Sequence, residues 1–330
     1  MKVLVTGGGG FLGRAVVRRL VARSYDVSIF GRSVQPELER LGVRVHLGDI
    51  ADPHAVREAC RGIDAVVHTA AKAGIWGSRE DFFSTNVVGT RNVLRACSAE
   101  GVRILVHTST PSVVYTGGSF EGADETLPYG HGFTCHYAES KAEAEQLALS
   151  AHDAERLRVC ALRPHLIWGV GDPHLLPRVI DRARRGRLRI VGDGNNMVDI
   201  THVENAALAH VLALDALEDG RAGGRAYFIS QGEPVALWPW IAGLLTSLGI
   251  APPSKRIGAV TARRMGSVME ALWGLLSLRG EPPMTSFTAV ELAHSHWFDI
   301  GAARRDLGYA PLVSTEQGLS EYVKDWLSHG

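Results

Sequence analysis

A phenol and an ammonium four residues apart stack on one face of a helix. Tyr137 and Lys141 stand so in Tyr-Ala-Glu-Ser-Lys, inside the helically patterned segment 136–150. Tyrosine ordinarily ionises near pH ~10, and a neighbouring cation favours the phenolate. Such a phenol passes a proton to or from a carbonyl oxygen while hydride moves at the carbon. Taken alone, YxxxK is also an ordinary helix-surface pair. Its meaning depends on what the rest of the chain can hold beside it.

The strand-like run KVLVT (2–6) leads straight into Gly-Gly-Gly-Gly-Phe-Leu-Gly, which places Gly7, Gly10 and Gly13 in a GxxGxxG spacing before an amphipathic helix (11–22). Glycine permits the tight turn, lets a diphosphate approach the backbone, and allows the helix to lie close to the sheet. The backbone around Phe11 and Leu12 then opens a helix N-terminus, where free N–H groups and the dipole favour an anion. The second strand reads Val27-Ser-Ile-Phe-Gly-Arg-Ser. An acidic residue at its end would hold a ribose 2′-hydroxyl, but Gly31 occupies that position and Arg32 and Ser33 follow. A guanidinium suits a phosphate dianion, so the expected cofactor is NADP(H) rather than NAD(H). Asp49 and Ile50, in the GDI tripeptide after the third strand, stand at the adenine end.

At the end of the fifth strand comes His-Thr-Ser-Thr-Pro-Ser (107–112). The C-terminal ends of parallel strands are where such sheets place ligands. Ser109, Thr110 and Ser112 are three candidate hydroxyls for a substrate oxygen, and each also has a capping or turn role open to it.

The elements that must position these groups follow an α/β pattern. Strands are expected at 2–6, 27–30, 43–47, 64–68, 103–108 and 158–162, with helices between most of them, including 79–98 and 136–150. Continuously apolar strands such as AVVHTA point to a doubly wound parallel sheet of Rossmann type. After about residue 165 the rhythm changes. A strand in RLRIVGDG, a helix over 202–217 and a strand at 225–229 precede a mainly helical end. The expected division is a dinucleotide-binding domain over 1–165, with 195–230 interleaved into it, and a smaller substrate region from 166–194 and 231–330.

Composition sets bounds on function. The 330 residues are 45% hydrophobic and 21% charged, with no net formal charge, which excludes the basic field of a nucleic-acid binder. Lysine occurs only at 2, 72, 141, 255 and 324, arginine taking the other basic positions, a usage typical of a GC-rich bacterial genome. Cys60, Cys97, Cys135 and Cys160 have no CxxC spacing and read as reduced thiols of a cytoplasmic protein. The chain starts directly on a strand without a secretory signal. The apolar stretch 257–278 is broken by Arg263, Arg264 and Glu270, so it is not a transmembrane segment. It suits a substrate lid or a surface touching a partner or a membrane. A loose His294-x-His296 pair is no metal site, and neither a phosphate-loop GK[ST] nor a hydrolase GxSxG is present.

Together TGGGGFLG, TSTPSVV, YAESK and LRPHLIWGVGD resemble the extended short-chain dehydrogenase/reductase superfamily, and DITHVENAALAH (199–210) and FDIGAARRDLGYAP extend the likeness through most of the chain. The closest likeness is to the branch containing 3β-hydroxysteroid dehydrogenases. AAKAGIWG, GDPHLLPR and ISQGEP are further similar to 2-alkyl-3-oxoalkanoate reductases of bacterial long-chain olefin biosynthesis. The resemblance implies Thr110 as the hydroxyl, a threonine where many members have serine, with Ser109 as fallback. It implies that Lys141 contacts the nicotinamide ribose, that Pro164, Leu166 and Ile167 lie by the carboxamide, that Ala70, Ala71 and Lys72 line the cofactor, and that Asn86 supports the site. It further implies reduction of a long-chain 2-alkyl-3-oxo acid, a possible homodimer through 79–98 and 136–150, and association with enzymes of the same pathway. Trp76 and Trp168, after the fourth and sixth strands, could flank the nicotinamide end, and Lys72, His174 and Arg178 could meet the substrate carboxylate. A steroid or sterol-carboxylate dehydrogenase, and a cofactor-sensing protein without chemistry, are the other readings.

Overall fold

The computed structural model describes residues 1–115, 117–278 and 280–329. Seven strands form one parallel sheet: β1 (Lys2–Thr6), β2 (Asp26–Gly31), β3 (Arg44–Leu47), β4 (Ala65–His68), β5 (Ile104–Thr108), β6 (Arg158–Pro164) and β7 (Arg225–Ile229). Their order is β7-β6-β5-β4-β1-β2-β3. The order reverses between β1 and β4, so the crevice at the C-terminal ends of those two strands is where a Rossmann sheet binds a dinucleotide.

Alternate residues along each strand feed two cores, as the period of two requires. Val3, Val5, Val67, Val106 and Leu162 pack under α1 (Phe11–Ala22). Leu4, Val66, Leu105 and Val159 pack under α2 (Pro53–Ala59) and α3 (Gly89–Glu100). The helix carrying Tyr137 and Lys141 is α4 (His136–Ser150). Beyond β6 come α5 (Leu175–Arg184), α6 (Val203–Glu218), α7 (Leu237–Ser247), α8 (Ala259–Leu275) and α9 (Ser286–Glu291). Of these, α6 returns to the sheet and is tied to α1 by Arg19–Glu204 at 2.8 Å. A third core, built from Leu176, Ile180, Ile241 and Leu244, holds α5 and α7 together.

The expected strands and helices of the first half stand where their periodicity places them. The helix expected over 79–98 contains a π-turn at Ser84–Val88 and runs on to Glu100. Of RLRIVGDG only Ile190–Val191 is a strand. A four-stranded sheet was not anticipated. It joins Phe120–Ala123, His296–Phe298, Met197–Val198 and Val235–Ala236, pieces of two to four residues from distant parts of the chain that are too short to show a period.

Candidate active site

The ends of β1 and β4 are laced together at the switch point. Thr6 Oγ1 lies 2.7 Å from His68 Nδ1, and Thr69 donates its hydroxyl to the Thr6 carbonyl at 2.7 Å. This draws the glycine loop against Ala70. Gly7 has φ +71°, and a Cβ there would stand 2.8 Å from the Ala70 backbone. A Cβ on Gly13 would fall 2.2 Å from the Gly7 carbonyl oxygen, so only glycine lets α1 begin this close to the loop. Gly10 caps α1 with no side-chain acceptor, and no acidic residue lies in the first turn around Phe11 and Leu12. The helix start is therefore free to receive an anion. At the end of β2, nothing lies within 4 Å of where a Gly31 Cβ would be, and Arg32 and Ser33 beyond it are exposed. The loop after β3 is held by Asn92, whose amide donates to the carbonyls of Ile50 and Ala51 at 3.1 and 3.0 Å. That leaves Asp49 exposed at its tip and Ile50 buried beneath. These surfaces fit a nicotinamide dinucleotide.

Tyr137 and Lys141 lie on α4, one turn apart, facing the end of β5. The Lys141 ammonium donates to the Thr108 carbonyl at 2.5 Å and is only 3% exposed. Burial lowers its pKa to about 8, against the opposing pull of Glu145. Burial also pushes the Tyr137 phenol up to about 12, while a hydrogen bond with Thr110 favours its phenolate. The three candidate hydroxyls are thereby distinguished. Thr110 stands beside the phenol and donates to Ser112 Oγ at 3.2 Å, its oxygen also capping a short turn at Pro111–Val114. Ser109 is buried with its hydroxyl unpartnered.

Asn86 sits in the π-turn, where one extra residue turns its side chain inward. It accepts from the Lys72 N–H at 2.7 Å and donates to the Lys72 carbonyl at 3.2 Å and to Ser140 Oγ at 2.9 Å. The loop of Ala70, Ala71 and Lys72 is thus clasped to α4 between Tyr137 and Lys141. Pro164 ends β6, and Leu166 takes φ +40°, an unusual conformation for a side-chain-bearing residue. Thr201 holds it through an N–H bond to the Leu166 carbonyl at 3.2 Å. Ile167 pairs with Thr201 as the turn leaves the site.

The substrate candidates are scattered. Trp76 is half-buried between Gly74 and Gly77, both at positive φ. Lys72 already pairs with Asp81 at 3.2 Å and Arg178 with Glu281 at 2.8 Å. His174 is exposed at the start of α5. Trp168 does not flank the nicotinamide end: it is wholly buried in the third core, edge-on to His202 and Trp240. The wall around Tyr137 is apolar. Ile75, Tyr115, Phe133, Phe287 and Val290 pack there, so α9 rather than 257–278 closes that side. The sequence carried a signal for this only in the spacing of Phe287 and Val290.

Two further residues had no motif to announce them. Glu145, one turn beyond Lys141, and Arg163 on β6 form a buried ion pair at 2.6 Å. Tyr129 donates to the same carboxylate at 2.8 Å.

This sheet with a tyrosine and lysine below its switch point defines an oxidoreductase of the extended short-chain dehydrogenase/reductase type. The chain belongs to the 3-beta hydroxysteroid dehydrogenase/isomerase family, whose model matches residues 4–258. It is 53% identical to a 2-alkyl-3-oxoalkanoate reductase of Stenotrophomonas maltophilia (strain K279a), over 97% of both chains. It is 32% identical to the human sterol-4-alpha-carboxylate 3-dehydrogenase, decarboxylating, over 98% of this chain and 87% of that one. Among solved structures it is similar to the dTDP-glucose 4,6-dehydratase DesIV from Streptomyces venezuelae with NAD bound, at TM-score 0.77 and 27% identity, covering 99% of this chain and 97% of the other.

Proposed function

We propose that the protein reduces the ketone of a long-chain 2-alkyl-3-oxoalkanoic acid to the 3-hydroxy acid with NADPH, as a cytoplasmic step of bacterial olefin biosynthesis. The observation that carries this reading is the Tyr137 phenol set beside Thr110, one turn from the Lys141 ammonium, against an apolar enclosure. A long-chain acyl substrate needs apolar walls with a few polar groups at the reacting carbon. The likeness to the Stenotrophomonas reductase supports the same substrate class.

When bound, the nicotinamide cofactor supplies the hydride to the carbonyl carbon. Gly7, Gly10 and Gly13, with the N–H groups at the start of α1, would hold its diphosphate. Arg32 would meet the 2′-phosphate. Tyr137, protonated at neutral pH because burial disfavours its anion, gives its proton to the carbonyl oxygen. Thr110 donates toward the same oxygen and shares its growing negative charge. Lys141, held by the Thr108 carbonyl, puts a positive charge beside the phenol and makes loss of its proton easier.

A screen of NADPH oxidation across 2-alkyl-3-keto acids, short β-keto esters and ketosteroids tests the reading. Turnover of branched long-chain keto acids is expected; activity confined to ketosteroids would replace the substrate and leave the mechanism. The sterol-carboxylate reading has the human relative in its favour, but the Gly31–Arg32 sequence argues for a reducing phosphorylated cofactor. A non-catalytic sensor would have no need of Thr110, Tyr137 and Lys141 together.

A further inference from the structure

Helix α8 turns its apolar residues outward. Half of the large apolar side chains exposed among the described residues lie between 260 and 278. Val260, Met265, Val268, Leu272, Leu275 and Leu276 are all exposed, Leu275 to 82%. At about 100° per residue they fall on one side of the helix, opposite Ala262 and Gly266, its buried positions. A globular helix normally presents the reverse arrangement. The attachment of α8 explains how this is sustained. A Cβ on Gly266 would stand 2.5 Å from the backbone at Thr285 and Ser286, so the two segments touch directly. Glu270 accepts from the Ser286 N–H and hydroxyl at 2.9 and 3.1 Å, fastening α8 to the start of α9. Small-residue contact and one carboxylate hold the helix, and its apolar stripe is left uncovered.

We propose that this stripe lies on the surface of an anionic phospholipid bilayer, with α8 parallel to the membrane plane. Charge decides the occupant. Arg263 and Arg264 interrupt the stripe, and Arg187 and Arg189 flank it across a cavity of about 400 Å³ that Met265 and Met269 help to line. None of these four arginines has a carboxylate partner among the described residues, whereas the nearby Asp181 and Glu281 are taken by Arg185 and Arg178. Exposed apolar residues among unpaired guanidinium groups match a negatively charged lipid surface. A second copy suits the stripe poorly. A two-fold contact would set each arginine cluster against itself with no acid to pair. No helix among the described residues is long and apolar enough to cross a membrane, so the contact is interfacial.

Flotation of the full chain with vesicles tests the assignment. The protein is expected to float with phosphatidylglycerol–phosphatidylethanolamine vesicles and at least tenfold less with pure phosphatidylcholine, and to be released by high salt. Leu272→Glu with Leu275→Glu should cut the bound fraction at least tenfold with an unchanged melting temperature, since both side chains face solvent. Absence of flotation with anionic vesicles, or equal flotation of the double variant, overturns the proposal. So does a dimer in gel filtration that the double variant splits, which gives the face to a second copy. None of these readouts depends on which ketone is reduced.

Discussion

Arg163 grips Glu145 on both carboxylate oxygens, at 2.6 Å from Nη2 to Oε1 and 3.0 Å from Nε to Oε2, one helical turn from Lys141. Neither side chain reaches solvent to any extent. The pair fixes the local field in which Lys141 titrates. Burial pushes the ammonium down to about 8 and Glu145 pulls it up.

Reduction should accordingly be insensitive to pH below about 8, where Lys141 is charged, and fall as pH rises through that value. In Glu145→Gln the opposing pull is gone, so Lys141 loses its proton at lower pH and the falling limb moves to the acid side. Arg163 is left buried without a counter-charge, which costs about 3–5 kcal/mol. A pH profile of kcat/KM and a denaturant titration measure the two effects. An unchanged limb would show that Lys141 does not set it.

Tyr137→Phe should lower kcat by about 10²–10⁴ while NADPH still binds, as followed by nucleotide fluorescence. Thr110→Val removes one donor to the developing oxyanion and should cost about 10²–10³ in kcat. Thr110→Ser should restore most of it. If Ser109→Ala proved the more damaging change, the oxygen would be bound by the other hydroxyl.

Much of this arrangement was legible in the sequence, for physical reasons that differ by element. The strands of the parallel sheet are buried on both faces, so KVLVT and AVVHT announce themselves by continuous apolarity. Gly7, Gly13 and the Tyr137–Lys141 pair are local: spacing alone carries their geometry. Glu145 and Arg163 are not local, because their meaning arises only when β6 lies beside α4. Trp168 was misplaced because an aromatic residue near a strand end fits a pocket and a core equally well, and only burial distinguishes them. Segment 257–278 was rightly seen as apolar, but composition cannot tell which way a helix faces. Gly266 and Glu270 decide that by docking the opposite side.

The end of β2 makes cofactor choice testable in both directions. Arg32→Ser should weaken NADPH binding by about ten- to a hundredfold, the value of a charge-assisted hydrogen bond, and leave NADH unchanged. Gly31→Asp adds a carboxylate where no neighbour stands within 4 Å, so the fold should tolerate it. It should repel the 2′-phosphate and favour the ribose hydroxyl of NADH. Titration of each variant with both nucleotides reads the ratio; equal losses for the two cofactors would remove Arg32 from phosphate recognition.

Asn86 is the joint between the two halves of the site. Its side chain satisfies the Lys72 N–H and carbonyl and the Ser140 hydroxyl at once, from a buried position. Asn86→Ala leaves these groups without their partner, at about 1–3 kcal/mol for each that stays buried and unpaired. The Ala70–Lys72 loop would loosen against the cofactor, and Tyr137 would lose the support that Ser140 transmits along α4. NADPH should therefore bind more weakly and kcat should fall in the same variant. Asn86→Asp keeps the acceptor for the Lys72 N–H but offers no amide donor. It should recover loop stability only in part and kcat less. Thermal melting, nucleotide titration and single-turnover rates separate the contributions. A variant with full nucleotide affinity and depressed kcat alone would assign Asn86 to the chemistry rather than to positioning the loop.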